Sequence, residues 1–243
     1  MQPVARTLSG VSIKARLDGH EFDLQDLADW LPSGEIRVAK DADGFYLEAA
    51  AIDKPPEGKT FYEAAQEILK LLNGLGRAKT ANFRPVALTG YYQDGDQRHV
   101  VVSPDSVVVR SRVSAVAIVT GPDGVSKPAP PPPGSAYAAL AATHPDVAEA
   151  ITVLATEPLG WVELYKVFEI VRDAVKPVKL DQTGLATRDD ISAFTASANR
   201  PDVSGEGARH ARLDGSLPKR TMPIGQARQF ISDLVRRWMD TLQ

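Results

Sequence analysis

The chain has 243 residues, 43% of them hydrophobic and 24% charged, which is the balance of a globular protein with ample material for a core. It has no cysteine, so disulfides, thiolate metal sites and cysteine catalysis are excluded. The net charge of −3 argues against nucleic-acid binding through overall charge, and no run approaches the roughly 20 apolar residues of a membrane span.

In chain order, the start "MQPVARTLSGVSIKARLDG" lacks the basic and apolar stretches of a signal peptide, and a cytoplasmic protein is expected. The pattern is then mostly strand. "VSIKARLDGHEFDL" alternates around Asp18–Gly19, "EIRVAKDADGFYLEAAAI" around Asp43–Gly44 and "VALTGYYQDGDQRHVVV" around Asp94–Gly95, each suggesting a hairpin. "SVVVRSRVSAVAIV" reads as a long β-branched strand or two. A short helix is expected over "LQDLADWL". A stronger one starts with the capping box Thr60-x-x-Glu63, carries Phe61, Ala64, Ala65, Ile68, Leu69, Leu72 and Leu75 on one face, and begins its exit at Asn73–Gly74.

"TGPDGVSKPAPPPPGSAY" marks a boundary, since its proline run favours extended polyproline II and acts as a semi-rigid spacer. Beyond it the period turns helical. "HPDVAEAITVLAT", "LGWVELYKVFEIVRDAV", "TRDDISAFTASAN" with Thr187 as N-cap, and "PIGQARQFISDLVRRWMDTL" with Pro223 in its first turn read as four helices. The expected fold is α+β: an antiparallel-sheet domain with a packed helix over 1–120, a Pro-rich linker over 121–135, and an all-α domain over 136–243.

The sequence has no GxxxxGK[ST], no GxGxxG between strand and helix and no GxSxG, and its four histidines are too scattered for a metal motif. No cofactor or metal is expected. His20 and His99 read as surface residues beside turns, and His144, before Pro145, as a helix-start residue. His210 differs by its company in "SGEGARHARLDG". Arg209 adjoins it, Arg212 follows, and Asn199–Arg200 ends the preceding helix. Residues 199–243 are also the only basic segment, with 8 Lys+Arg against 5 Asp+Glu, compared with 5 against 9 over 136–198. An imidazole can move protons near neutral pH, and guanidinium groups bind phosphate oxygens, the parts a metal-independent ribonuclease needs. Arg209, His210, Arg200 and Asn199 are therefore the candidate catalytic residues. The competing reading is that they hold a long loop in place.

"WVELYKVFEIVRD", followed by "FTASAN" and "ARHA", resembles the helical bundles of the HEPN class, found in bacterial ribonucleases of defence and toxin–antitoxin systems. The resemblance covers residues 145–243 and implies a dimer with a composite site, with Glu169 or Tyr165 near the Arg/His pair. The active class places four to six residues between its Arg and His. Here nine separate Arg200 from His210, and Arg209 is adjacent. Either "PDVSGEG" is an insertion that still lets Arg200 and His210 converge, or the module has lost catalysis and serves for binding or dimerisation.

The expected function is that of a cytosolic bacterial interaction or defence protein. Its N-terminal domain would bind a ligand or partner, and its helical domain would dimerise or dock to a protein partner. The alternative is a metal-independent RNase using Arg209 and His210, with RNA met through the basic C-terminal segment. A small-molecule enzyme is a third reading, for which no residue names a substrate.

Overall fold

The computed structural model of the chain describes residues 13–95, 97–101, 134–210 and 219–243. The expected strand over 106–119, the proline run with nearly all of the 121–135 linker, Arg212 and the Asp214–Gly215 turn lie outside the described residues. Two compact units are formed, one from Met1–Leu69 with Val86–Ser135, the other from Lys70–Pro85 with Ala136–Gln243.

The first unit is an antiparallel sheet with helices. Its elements begin with β1 (Ile13–Asp18), α1 (Glu21–Trp30), β2 (Ile36–Asp41), β3 (Gly44–Ala49) and the single turn α2 (Ala50–Asp53). The longer α3 (Phe61–Lys79), whose residues from Lys70 onward belong to the second unit, is followed by β4 (Ala87–Asp94) and β5 (Gln97–Val100). The strand order is β2-β3-β1-β4-β5, with every neighbouring pair antiparallel. The Asp43–Gly44 and Asp94–Gly95 hairpins form as expected, with Asp41 opposite Gly44 and Asp94 opposite Gln97. Gly90 needs its glycine: at φ +79 an added Cβ would stand 2.0 Å from the Val101 carbonyl oxygen.

Asp18–Gly19 is not a hairpin turn. It joins β1 to α1, because His20 is the N-cap of that helix: its Nδ1 accepts from the Phe22 N–H at 3.3 Å, and Glu21 and Asp23 lie in the positive first turn. His20 is therefore a cap rather than a plain surface residue. Paired residues share a face in an antiparallel sheet, so Ala15, Leu17, Val38, Phe45, Leu47 and Tyr92 form one buried layer. Phe61 at the start of α3 meets Tyr92 edge-on at 5.0 Å. On the opposite face Glu48 is buried between Arg37, its cross-strand partner, and Lys14.

The capping box at Thr60 and Glu63 forms reciprocally, the Thr60 N–H donating to Glu63 Oε2 at 2.8 Å and the Glu63 N–H to Thr60 Oγ1 at 3.4 Å. The expected exit at Asn73–Gly74 does not occur, and α3 runs to Lys79. The reason is packing. From Leu72 to Ala78 every residue is buried, and a Cβ on Gly74 would lie 2.1 Å from the Ile151 carbonyl oxygen. One on Gly76 would lie 2.6 Å from the Phe83 ring. These glycines permit close approach instead of ending the helix.

The second unit is helical, with α4 (Gly134–Thr143), α5 (Pro145–Leu154), α6 (Trp161–Ala174), α7 (Arg188–Asn199), the single turn α8 (Pro201–Ser204) and α9 (Ile224–Asp240). The first of these, α4, is a helix that the proline-rich context conceals. Thr187 caps α7 as expected, accepting from the Asp190 N–H at 3.1 Å. His144 stands at the N-cap of α5, with Pro145 in the first turn. The core centres on fully buried Phe194, whose ring lies 5.3–6.2 Å from those of Trp161, Tyr165, Phe168 and Phe230. The whole is α+β. No described helix is long and apolar enough to cross a membrane.

Candidate functional site

The loop that carries the expected site begins at the end of α7. Its fixed points are short-range. The Arg209 N–H donates to the Ala198 carbonyl at 2.8 Å, so the chain returns to the helix it left. Ser204 Oγ donates to the Ser197 carbonyl, and Ser204 N–H to the Arg200 carbonyl at 3.0 Å. Gly205, at φ +59, makes the turn between α8 and a 3-10 turn at Gly205–Gly207. Buried Ser197 Oγ also accepts from the Met222 N–H at 2.7 Å, tying the far side of the loop.

The four candidate residues do not share one environment. Arg200 is buried, and its Nε and Nη2 donate to the two oxygens of Asp202 at 2.9 and 2.8 Å. That fork holds the Asp202 carboxyl below its ordinary range, chiefly through the hydrogen bond. Asn199 Oδ1 is buried with no hydrogen-bond partner among the described residues. Arg209 and His210 are exposed.

Arg209 is nevertheless engaged. Its guanidinium lies 4.3 Å over the Tyr165 ring and 3.8 Å from Glu169 Oε2. Tyr165 in turn stacks on Phe194, at 6.1 Å and 16°. Tyr165 and Glu169 thus stand beside Arg209, one turn apart on α6. Glu169 also meets Arg172 at 3.5 Å. It belongs to an open groove of about 460 Å³ between α5 and α6, whose charged lining is Asp146, Glu149, Glu169 and Asp173 against the single cation Lys166.

A second feature of the same unit carries the opposite charge. Where α6 ends, the chain turns through Val175–Lys179 into a 3-10 turn at Leu180–Gln182. A pocket of about 640 Å³ opens between this turn and the start of α7. Phe168, Pro177, Val178, Leu180 and Ile191 give it an apolar lining, and Arg172, Lys176, Lys179 and Arg188 stand around it with one carboxylate, Asp181. Asp173 engages Arg172 and Lys176 at 2.8 and 3.1 Å. Lys179 and Arg188 make no ion pair among the described residues and are exposed. Sequence reasoning missed this pocket. Its signal was the spacing of cations about one turn apart along 172–179 beside an exposed Val178, which at a helix end reads as ordinary solvation.

No protein-family model, curated protein or solved structure matches the chain. What these two features can do therefore follows from their own residues. No group of three or more histidines and carboxylates among the described residues could hold a metal ion.

Proposed function

We propose that the chain is a non-enzymatic, cytoplasmic interaction protein of bacterial defence or regulation, whose N-terminal unit binds a ligand or partner and whose helical unit docks a protein or a second copy. One observation carries this reading: Arg209, the cation that a phosphate would need, is held by Tyr165 and by Glu169 of an acidic groove. Glu169 shares its groove with Asp146, Glu149 and Asp173, an acidic lining that disfavours a polyanion, and phosphate contacts are what give RNA its affinity. Arg200, the second cation of the expected pair, is turned to Asp202.

The alternative, a metal-independent RNase of a defence or toxin–antitoxin system, is favoured by one observation. Exposed His210 follows an Arg209 that already lies against a tyrosine and a glutamate, a set able to exchange protons. Incubation of the purified chain with total RNA in EDTA, beside folded His210→Ala, separates the two. Intact RNA in both samples is the expected result. Cleavage by the wild type that His210→Ala abolishes would overturn the interaction reading.

A further inference from the structure

The pocket between the 175–182 turn and α7 is built differently from every other charged surface described above. Its apolar side chains are contributed by three separate stretches: Phe168 from α6, Pro177, Val178 and Leu180 from the turn, and Ile191 from α7. Phe168 and Leu180 are 3% and 5% exposed, so the floor is fixed by the core, while Val178 is 48% exposed and stands at the mouth. An apolar cavity of this size with a few polar groups at its edge has the form of a small-ligand site.

The charges decide the class of ligand. Four cations line the pocket against one carboxylate, and Asp173 answers only Arg172 and Lys176. Lys179 and Arg188 remain to be matched from outside. A neutral apolar ligand would leave them as they are, and a cation would be repelled. A polyphosphate would find charge but would leave Phe168, Val178, Leu180 and Ile191 uncovered. A single anionic head on an apolar body satisfies both parts of the lining.

We propose that this pocket binds a small amphipathic carboxylate. The apolar body lies against Phe168, Val178, Leu180 and Ile191, and the carboxylate is held by Lys179 and Arg188, the latter able to offer a two-pronged hydrogen bond. The site shares no residue with the Arg209–His210 loop, and it stands whether or not that loop cleaves RNA.

The test is calorimetric titration of the full chain with octanoate, and with 1-octanol as the uncharged counterpart. The Lys179→Glu/Arg188→Glu variant is titrated in parallel. Both substituted side chains are exposed, so the variant is expected to keep the wild-type circular dichroism. Saturable binding of octanoate is expected, weakened at least about tenfold both for 1-octanol and for the variant, since each comparison removes a charge-assisted contact. Absence of octanoate binding would overturn the proposal. So would equal affinity for 1-octanol, or an unchanged affinity in the variant.

Discussion

Three cation-rich places in the helical unit treat their cations in two opposite ways. In the 197–209 loop and around the α5–α6 turn, cations are committed to the fold. Arg77 is buried, donates to the carbonyls of Leu154 and Thr156 at 2.8 and 2.7 Å and pairs with Glu157, while Arg228 donates twice to the carbonyl of Leu159. Arg200 is taken up by Asp202, and Arg209 by Tyr165 and Glu169. Around the 175–182 turn, Lys179 and Arg188 stand beside an apolar pocket with no internal partner among the described residues. Density of charge in a sequence does not say which kind a stretch is. The difference lies in whether the surrounding fold supplies acceptors.

The largest effect separating the two kinds is expected at Arg77. Burial, together with the nearby Arg228, lowers its pKa to about 10, still far above neutral, so it remains a cation that the fold must answer. Arg77→Met leaves two carbonyls without their donor and should lower unfolding free energy in denaturant titrations by about 3 kcal/mol. Ser197→Ala, which removes the acceptor of the Met222 N–H, should lose about 1–2 kcal/mol by the same measurement.

Tyr137 tests the committed contacts by pH. Burial, and then its hydrogen bond to Asp240, push its hydroxyl up to about 12. The folded state therefore holds that proton more tightly than the unfolded chain, where tyrosine titrates near its ordinary value of about 10. The stabilisation is complete below that value and is lost as pH rises toward 12. Thermal melts should show this fall in the wild type, and Tyr137→Phe should flatten it.

Smaller still is Arg209→Ala. It removes one half-exposed ring contact and one long ion pair and should cost about 0.5–1 kcal/mol. At the other end of the comparison, Lys179→Glu/Arg188→Glu should leave unfolding free energy within about 0.5 kcal/mol of wild type. A large loss there would move these cations into the committed group.

Much of the architecture was legible because it rests on local chemistry. Thr60 with Glu63, and Thr187 before Asp190, announce their helix starts through groups three residues apart. Asp43–Gly44 and Asp94–Gly95 mark true hairpins. Asp18–Gly19 reads the same way but leads into a helix, because His20 and two acidic residues supply a helix start that competes with the turn. Gly74 looks like a stop signal until Ile151, 77 positions on, is known to press against it.

The site was legible in the same uneven way. Arg209 and His210 stand out by adjacency, and Tyr165 and Glu169 lie beside Arg209. The buried Arg200–Asp202 fork was not foreseen, since burial is not written in a spacing of two. The pocket was missed because its lining comes from 168, 177–180 and 191, three stretches whose meeting depends on how α6 and α7 pack.

On the proposal above, this protein meets a ligand at its free cations and not at its committed ones. Titration of octanoate into Arg209→Ala beside Lys179→Glu/Arg188→Glu tests this most directly. Wild-type affinity is expected for Arg209→Ala, and at least about tenfold weaker binding for the double variant. Weakened binding in Arg209→Ala with the double variant unaffected would contradict it.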